Sequence, residues 1–301
     1  MSEVRTKLDH IIYSSSLLTI GLFRCPTWHQ AFSNTGPASN YLLVFPRSSV
    51  IITQSGHQPV VANPNVVMFY NRHQEYERGK LSDWGDVCEF FAFSPPTIIE
   101  VHRQVDPTVE ARAERPFRFS HTTSHPHNYL KQRRIVQRIL SGAQLDSMYI
   151  EETMLSILSQ SVQTAYQHHD THFQKRQESE RNHAELVHRT QSILSTRFAE
   201  GLTLTQIALE LNSSVYHLCR IFRGHTGLTI HNYLNQIRLR SALEWVAEGS
   251  KDLANVALNL GYSHHSHFTQ AFRRTFGLTP RAWRQQASSH RLEKMSKILT
   301  V

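Results

Sequence analysis

Hydrophobic residues between positions 40 and 94 come in short bursts: "NYLLVFP" (40–46), "SVIITQS" (49–55), "NVVMFYN" (65–71) and "CEFFAFS" (88–94). Each is rich in β-branched or aromatic residues and bounded by Gly, Pro, Asn or Ser, which predicts strands of an antiparallel sheet or barrel over about residues 18–120. "QSGHQPVVANPN" and "RGKLSDWGD" read as turns and edges. After about residue 127 the period lengthens. "HNYLKQRRIVQRILSG" and "DSMYIEETMLSILSQSVQTAYQHH" repeat apolar residues at helical spacing, as in Met154, Leu155, Leu158, Val162 and Ala165. The second of these helices is long enough for a dimer seam, and packing on its own barrel is the alternative.

The segment 168–183, "HHDTHFQKRQESERNH", has hardly an apolar anchor and reads as a linker or weakly packed helical extension. The division expected is therefore 1–167, a β-barrel domain with flanking helices; 168–183, a linker; and 184–301, an all-α domain.

The all-α part contains a repeat. "IALELNSSVYHLCRIFRGHTGLTIHNY" (207–233) aligns with "VALNLGYSHHSHFTQAFRRTFGLTPRAW" (256–283). Ala208 matches Ala257, Leu211 matches Leu260, Leu218 matches Phe268, Phe222 matches Phe272, Gly227 matches Gly277 and Tyr233 matches Trp283. The offset is 49 residues before the turn and 50 after it. Two copies of one small unit follow, about 203–227 and 252–277, each helix-turn-helix. Thr203 with Gln206 forms a candidate capping box, and Asp252 is the candidate cap of the second copy. Asn212 and Gly261 suit a left-handed turn, Gly227 and Gly277 suit helix ends, and Thr279-Pro280 suits a helix start.

At about 100° per residue, Val215, Leu218, Ile221 and Phe222 share one face of the second helix, with Tyr216, Arg220 and Arg223 opposite and Cys219 at the edge. In the second copy Phe268, Ala271 and Phe272 point inward while Ser266, Thr269, Gln270 and Arg273 point outward. Such a face carries the donors and acceptors that base edges in a DNA major groove require. The connecting "LTIHNYLNQIRLRSALEWVAEG" has no internal Gly or Pro before its end. About 19 helical residues span roughly 28 Å, close to the ~34 Å between successive major grooves on one DNA face.

Charge agrees with that reading. The net charge is +8, and residues 181–301 hold 15 Lys/Arg against 7 Asp/Glu while the preceding 180 are balanced at 17 each. A basic excess confined to the helical part is the footprint of nucleic-acid binding. The three cysteines are scattered, which fits a reducing cytoplasm and speaks against a disulfide framework. There is no run of 18 apolar residues and no signal-peptide pattern at the start, so a soluble, unexported chain without a membrane partner is expected.

With these residues in place, the stretch from about 185 to 285 resembles the AraC/XylS-type bacterial transcription regulators. The likeness rests on "IALELNSSVYHLCRIFRGHTG", the Tyr233, Arg238, Ala242 spacing and "VALNLGYSHHSHFTQAFRRTFGLTPRAWR". It implies base-reading positions at Tyr216, Cys219 and Arg220 in the first unit and at His265, Ser266, Thr269 and Gln270 in the second. Phosphate contacts from Arg223, Arg273, Arg274 and Arg281 are the generic expectation. Cys219 stands where a hydrogen-bonding side chain is more usual and Gln270 where Arg is common, so target bases do not carry over from relatives. The resemblance further implies double-stranded DNA and RNA polymerase as partners, a homodimer, a bacterial cytoplasmic, nucleoid-associated location, and an N-terminal cupin-like barrel for a small-molecule effector or dimerisation. Activation and repression are not distinguished.

Other chemistry is weaker. No P-loop, G-x-S-x-G, dinucleotide fingerprint or H-E-x-x-H occurs, and neither an enzyme nor a cofactor is expected. "HHSH" (264–267) offers at most the pair His264 and His267 to one metal, short of a zinc set. His73, Glu75 and Glu77, or His121, His125 and His127, are candidate ligands of a metal-dependent cupin, but Pro126 splits the second group and a polar connector is the better reading. A cupin enzyme fused to a DNA-binding tail and an effector-free architectural DNA protein are the alternatives. Trp28, His29, Tyr70 and Arg72 are unassigned between pocket lining and strand core.

Overall fold

The computed structural model of the protein describes residues 8–33, 35, 37–142, 145–172, 177–247 and 252–287. These form two compact units, residues 8–62 with 66–169 and residues 63–65 with 170–287.

The first unit is β-rich. Strands β1 (Asp9–Ser14), β2 (Leu18–Cys25), β3 (Tyr41–Pro46), β4 (Val50–Gln54), β5 (Val60–Ala62), β6 (Val66–Tyr70), β7 (Tyr76–Gly79), β8 (Asp86–Phe93) and β9 (His121–Thr123) pair antiparallel throughout. The bursts expected as strands are β3, β4, β6 and β8. The barrel is not closed: the strands form a six-stranded sheet in the order β1-β2-β8-β3-β6-β9 and a separate three-stranded sheet in the order β5-β4-β7.

Both faces of the larger sheet are covered, which is why its central strands read as unbroken apolar runs. On one face Val44, Val66, Met68 and Cys88 join Val50, Ile52 and Val60 of the smaller sheet. The other face meets helices: Tyr129 of α3 (Pro126–Leu140) packs its ring edge-on to Phe45, and the fully buried Glu89 pairs with the equally buried Arg133 of the same helix. Gly21, opposite Phe90, has a packing reason. A Cβ there would stand 2.1 Å from the Phe90 ring. A short helix α1 (Gln30–Ser33) follows β2, and α4 (Ser147–His172) follows α3.

Helix α2 (Pro95–Arg103) carries His102, which is fully buried. Its Nδ1 lies 2.8 Å from the Ile98 carbonyl, and its ring sits among Phe117, Phe119 and Tyr166. Burial pushes its pKa down to about 4; the Ile98 hydrogen bond opposes that shift, Arg112 adds to it and Asp106 opposes it. The unfolded chain, with an ordinary value of 6.5, then takes up a proton that the folded unit refuses. Stability is complete above pH 6.5 and lost as the pH falls toward 4. Between pH 7 and pH 5 the first unit is expected to lose about 2 kcal/mol through this group. Urea unfolding of the wild type and of His102→Gln checks this: the pH slope should shrink in the variant, and an undiminished slope would remove His102 as its source.

The second unit is helical: α5 (Gln177–Thr196), α6 (Leu204–Glu210), α7 (Val215–Thr226), α8 (Ile230–Ala247), α9 (Leu253–Asn259), α10 (His265–Phe276) and α11 (Pro280–Gln286). Helix thus covers 168–172 and 177–183 of the stretch expected as linker or helical extension. Leu194, Ile207, Leu218, Phe222, Tyr233 and Ile237 form a core that joins α5 through α8. Residues 63–65 also belong to this unit, with Asn63 Nδ2 donating to the Ser195 and Tyr233 hydroxyls at 2.9 Å each.

Candidate nucleic-acid interface

The two helix-turn-helix copies are built alike. In the first, Thr203 and Gln206 make the reciprocal capping box that starts α6. Asn212 then adopts φ 49°, the left-handed turn, and the Ser214 hydroxyl caps α7 by accepting from His217 N at 3.2 Å. In the second, Gly261 takes φ 81° at the equivalent turn. A Cβ at Gly261 would stand 2.7 Å from both the Ala199 carbonyl oxygen and the Arg238 guanidinium. Asp252 does occupy the N-cap of α9, but its side chain makes no capping bond, in contrast to the expectation. Helices α7 and α10 both end on a left-handed glycine, Gly227 at φ 71° and Gly277 at φ 76°.

The repeat pairs fall together. Ala208 and Ala257, Leu218 and Phe268, Phe222 and Phe272, and Tyr233 and Trp283 are all at most 2% exposed. Arg238, the basic member of the Tyr233 motif, is a structural residue: its Nε donates to the Phe198 carbonyl at 2.6 Å and its Nη2 to that of Glu200 at 2.8 Å. Its guanidinium lies over Tyr262, whose hydroxyl is pushed well above its ordinary pKa by burial. Trp283 Nε1 donates to the Leu243 carbonyl at 2.8 Å, tying α11 to α8.

Residues 207–286 match a family model described as a helix-turn-helix domain. The activator RhaS of Escherichia fergusonii is 36% identical over 92 residues, 31% of this chain and 33% of that one. The regulatory protein PocR of Salmonella typhimurium is 30% identical over 97 residues, 32% of each chain. A solved transcriptional regulator of Chromobacterium violaceum with an AraC-type DNA-binding domain is 27% identical and covers 35% of this chain and 94% of its own, with a TM-score of 0.33. The C-terminal unit is a helix-turn-helix domain of the AraC/XylS type. The chain spans about a third of the length of the first two relatives.

Within the AraC/XylS-type domain, the α10 residues expected to read bases are placed as follows: His265, Ser266 and Gln270 are exposed, and Thr269, half-buried, lies with Oγ1 3.4 Å from His265 Nε2. Arg273, Arg274 and Arg281 are exposed, as are Arg220 and Arg223 of α7. Cys219 is half-buried and packs on the core of the unit, so only its edge is presented. The side chain of Tyr216 lies outside the described residues. Val215, expected inward, is 37% exposed: as the first residue of α7 it has no preceding turn to cover it.

The rings of His264 and His267 stand 5.5 Å apart at the exposed start of α10. Among the described residues no group of three or more His, Cys, Asp and Glu is arranged to hold a metal ion. In the first unit, Tyr70 lines a cavity between the sheets, while Trp28 is 79% exposed and, with His29 and Arg72, is not part of that lining. Sequence reasoning missed Arg78 and Asp86 of the same cavity. The signal was present: Asp86, Cys88, Phe90 and Ala92 alternate along β8, and all four line it.

Proposed function

We propose that the protein is a sequence-specific, double-stranded DNA-binding transcription regulator that seats α7 and α10 in adjacent major grooves of one DNA face. The observation that carries this is the doubled construction: two helices of 12 residues each, similarly capped at their C-termini and similarly buried on one side, with α8 of 18 residues between the copies. Eighteen residues span roughly 27 Å, which suits neighbouring grooves. Base reading falls to Tyr216, Cys219, Arg220, His265, Ser266, Thr269 and Gln270. The phosphate contacts fall to Arg223, Arg273, Arg274 and Arg281. The β-rich unit is the cupin-like sensory or dimerisation unit for a small-molecule effector, and the regulator works as a non-enzymatic homodimer with RNA polymerase in the bacterial cytoplasm, at the nucleoid.

Selection of bound duplexes from a random library by the full chain tests the reading. Two enriched blocks about 10 base pairs apart are expected, indifferent to chelator. Absence of any enriched sequence, with and without candidate effectors, would sink it. Within an enriched site, Arg220→Ala is expected to cost about 1 to 3 kcal/mol and to relax preference at one base. An unchanged binding profile would take Arg220 off the reading face.

A further inference from the structure

The first unit holds a half-open cavity of about 350 Å³ between its two sheets. At about 30 Å³ per water in the liquid, that is room for about a dozen waters, the lower end of the range for small-molecule sites. Its wall is mostly hydrocarbon, contributed by alternating positions of the strands: Phe23, Val44, Ile52, Met68, Phe90 and Ala92 are typical. Such a surface gains free energy when an apolar ligand replaces water.

Three lining residues are charged: Asp9, Asp86 and Arg78. Asp9 is exposed, whereas the Arg78 and Asp86 side chains are only 3% and 9% exposed. The guanidinium of Arg78 is ion-paired and hydrogen-bonded within the unit. Its Nε stands 2.6 Å from Asp86 Oδ2, Nη1 donates to the Ala31 and Phe32 carbonyls at 3.1 and 3.4 Å, and Nη2 donates to the Tyr76 hydroxyl at 3.2 Å. The rings of Phe23 and Tyr76 lie 4.9 and 5.5 Å from its central carbon. The one lining cation is therefore neutralised before any ligand arrives. An incoming carboxylate or sulfonate would be stripped of water beside Asp86, with no free positive partner in the wall. One polar group is available: among the described residues no protein group hydrogen-bonds the hydroxyl of Tyr70, a lining residue.

We propose that this cavity binds an uncharged, mainly apolar small molecule carrying a hydrogen-bonding group, and that the Arg78–Asp86 pair excludes organic anions from it. The proposal rests on the effector reading of the same unit and gives that effector its chemical class.

Two dyes with one aromatic skeleton test it on the full chain. N-phenyl-1-naphthylamine is neutral, and 8-anilinonaphthalene-1-sulfonate adds a sulfonate. Cavity binding is defined as the fluorescence enhancement that Val44→Trp abolishes by filling the space, with Ala92→Leu as the filling variant if the first does not fold. The neutral dye is expected to show a saturable cavity component at least about tenfold tighter than the sulfonate's. In Asp86→Asn, which frees Arg78, that preference should narrow. A cavity component missing for the neutral dye, or equally strong for the sulfonate, overturns the proposal. DNA affinity is measured separately on the same preparation. Dye binding that leaves DNA affinity unchanged counts against effector control and leaves the ligand class standing, whereas no DNA binding with or without dye, at intact dye preference, counts against the regulator reading alone.

Discussion

Phe272→Ala is expected to unfold the second helix-turn-helix copy before the rest of its unit. Phe268, Phe272 and Phe276 follow one another at helical i, i+4 spacing, their rings 5.7 and 4.8 Å apart, and none is more than 4% exposed. Truncating the middle ring removes its own buried area and strips contacts from both neighbours. A buried Phe→Ala change costs about 3 to 5 kcal/mol. Against a typical domain stability of about 5 to 15 kcal/mol, that is a large fraction of the whole. Arg273→Ala, one position along and exposed, is the control and should stay within about 0.5 kcal/mol. Thermal or urea unfolding of the full chain, followed by circular dichroism at a helical wavelength, reads both. A wild-type midpoint for Phe272→Ala would contradict the register that aligns Phe272 with Phe222.

That register was legible because helical copies carry their information locally. Apolar spacing marks the buried face, Asn212 and Gly261 mark the turns, and Gly227 and Gly277 mark the ends; the backbone angles follow these residue types. Positions at helix margins were not legible. Val215 lies at the right helical angle for the core yet is 37% exposed, and Asp252 sits at an N-cap without using its carboxylate.

In the β-rich unit β3, β4, β6 and β8 were legible, each from its own mainly apolar run of five to eight residues. β5 (Val60–Ala62) lies inside a stretch that reads as a turn, because a three-residue strand acquires its character from pairing with β4 rather than from its own pattern. β7 (Tyr76–Gly79) is an edge strand of the smaller sheet, as its charge argues, yet it buries Arg78. Arg78 is held there by Asp86, eight residues later at the start of β8, which comes within 2.6 Å, a meeting set by the packing of two sheets. The same limit explains the expectation of a barrel. Periodicity identifies strands, but whether neighbouring edges exchange hydrogen bonds is a tertiary property.

Salt should weaken DNA binding steeply, with the loss assignable to residues. Arg223, Arg273, Arg274 and Arg281 are exposed on and beside α7 and α10, and in the proposed complex each phosphate they neutralise would release condensed counterion. Four such contacts at about 0.9 per phosphate give a log-log slope near −3.6, so raising salt from about 50 to 200 mM should cost roughly a hundredfold in affinity. Fluorescence anisotropy with a selected duplex measures this. Arg273→Gln should make the slope shallower by about 0.9 and weaken matched and mismatched sites alike. Gln270→Ala, on the proposed reading face of the same helix, should change base preference and leave the slope alone. The two substitutions thus separate holding from reading on α10. A flat salt response would detach the basic excess of the C-terminal unit from DNA phosphate, and an Arg273→Gln that altered preference at one base while keeping the slope would move Arg273 from the phosphate contacts to the base-reading set.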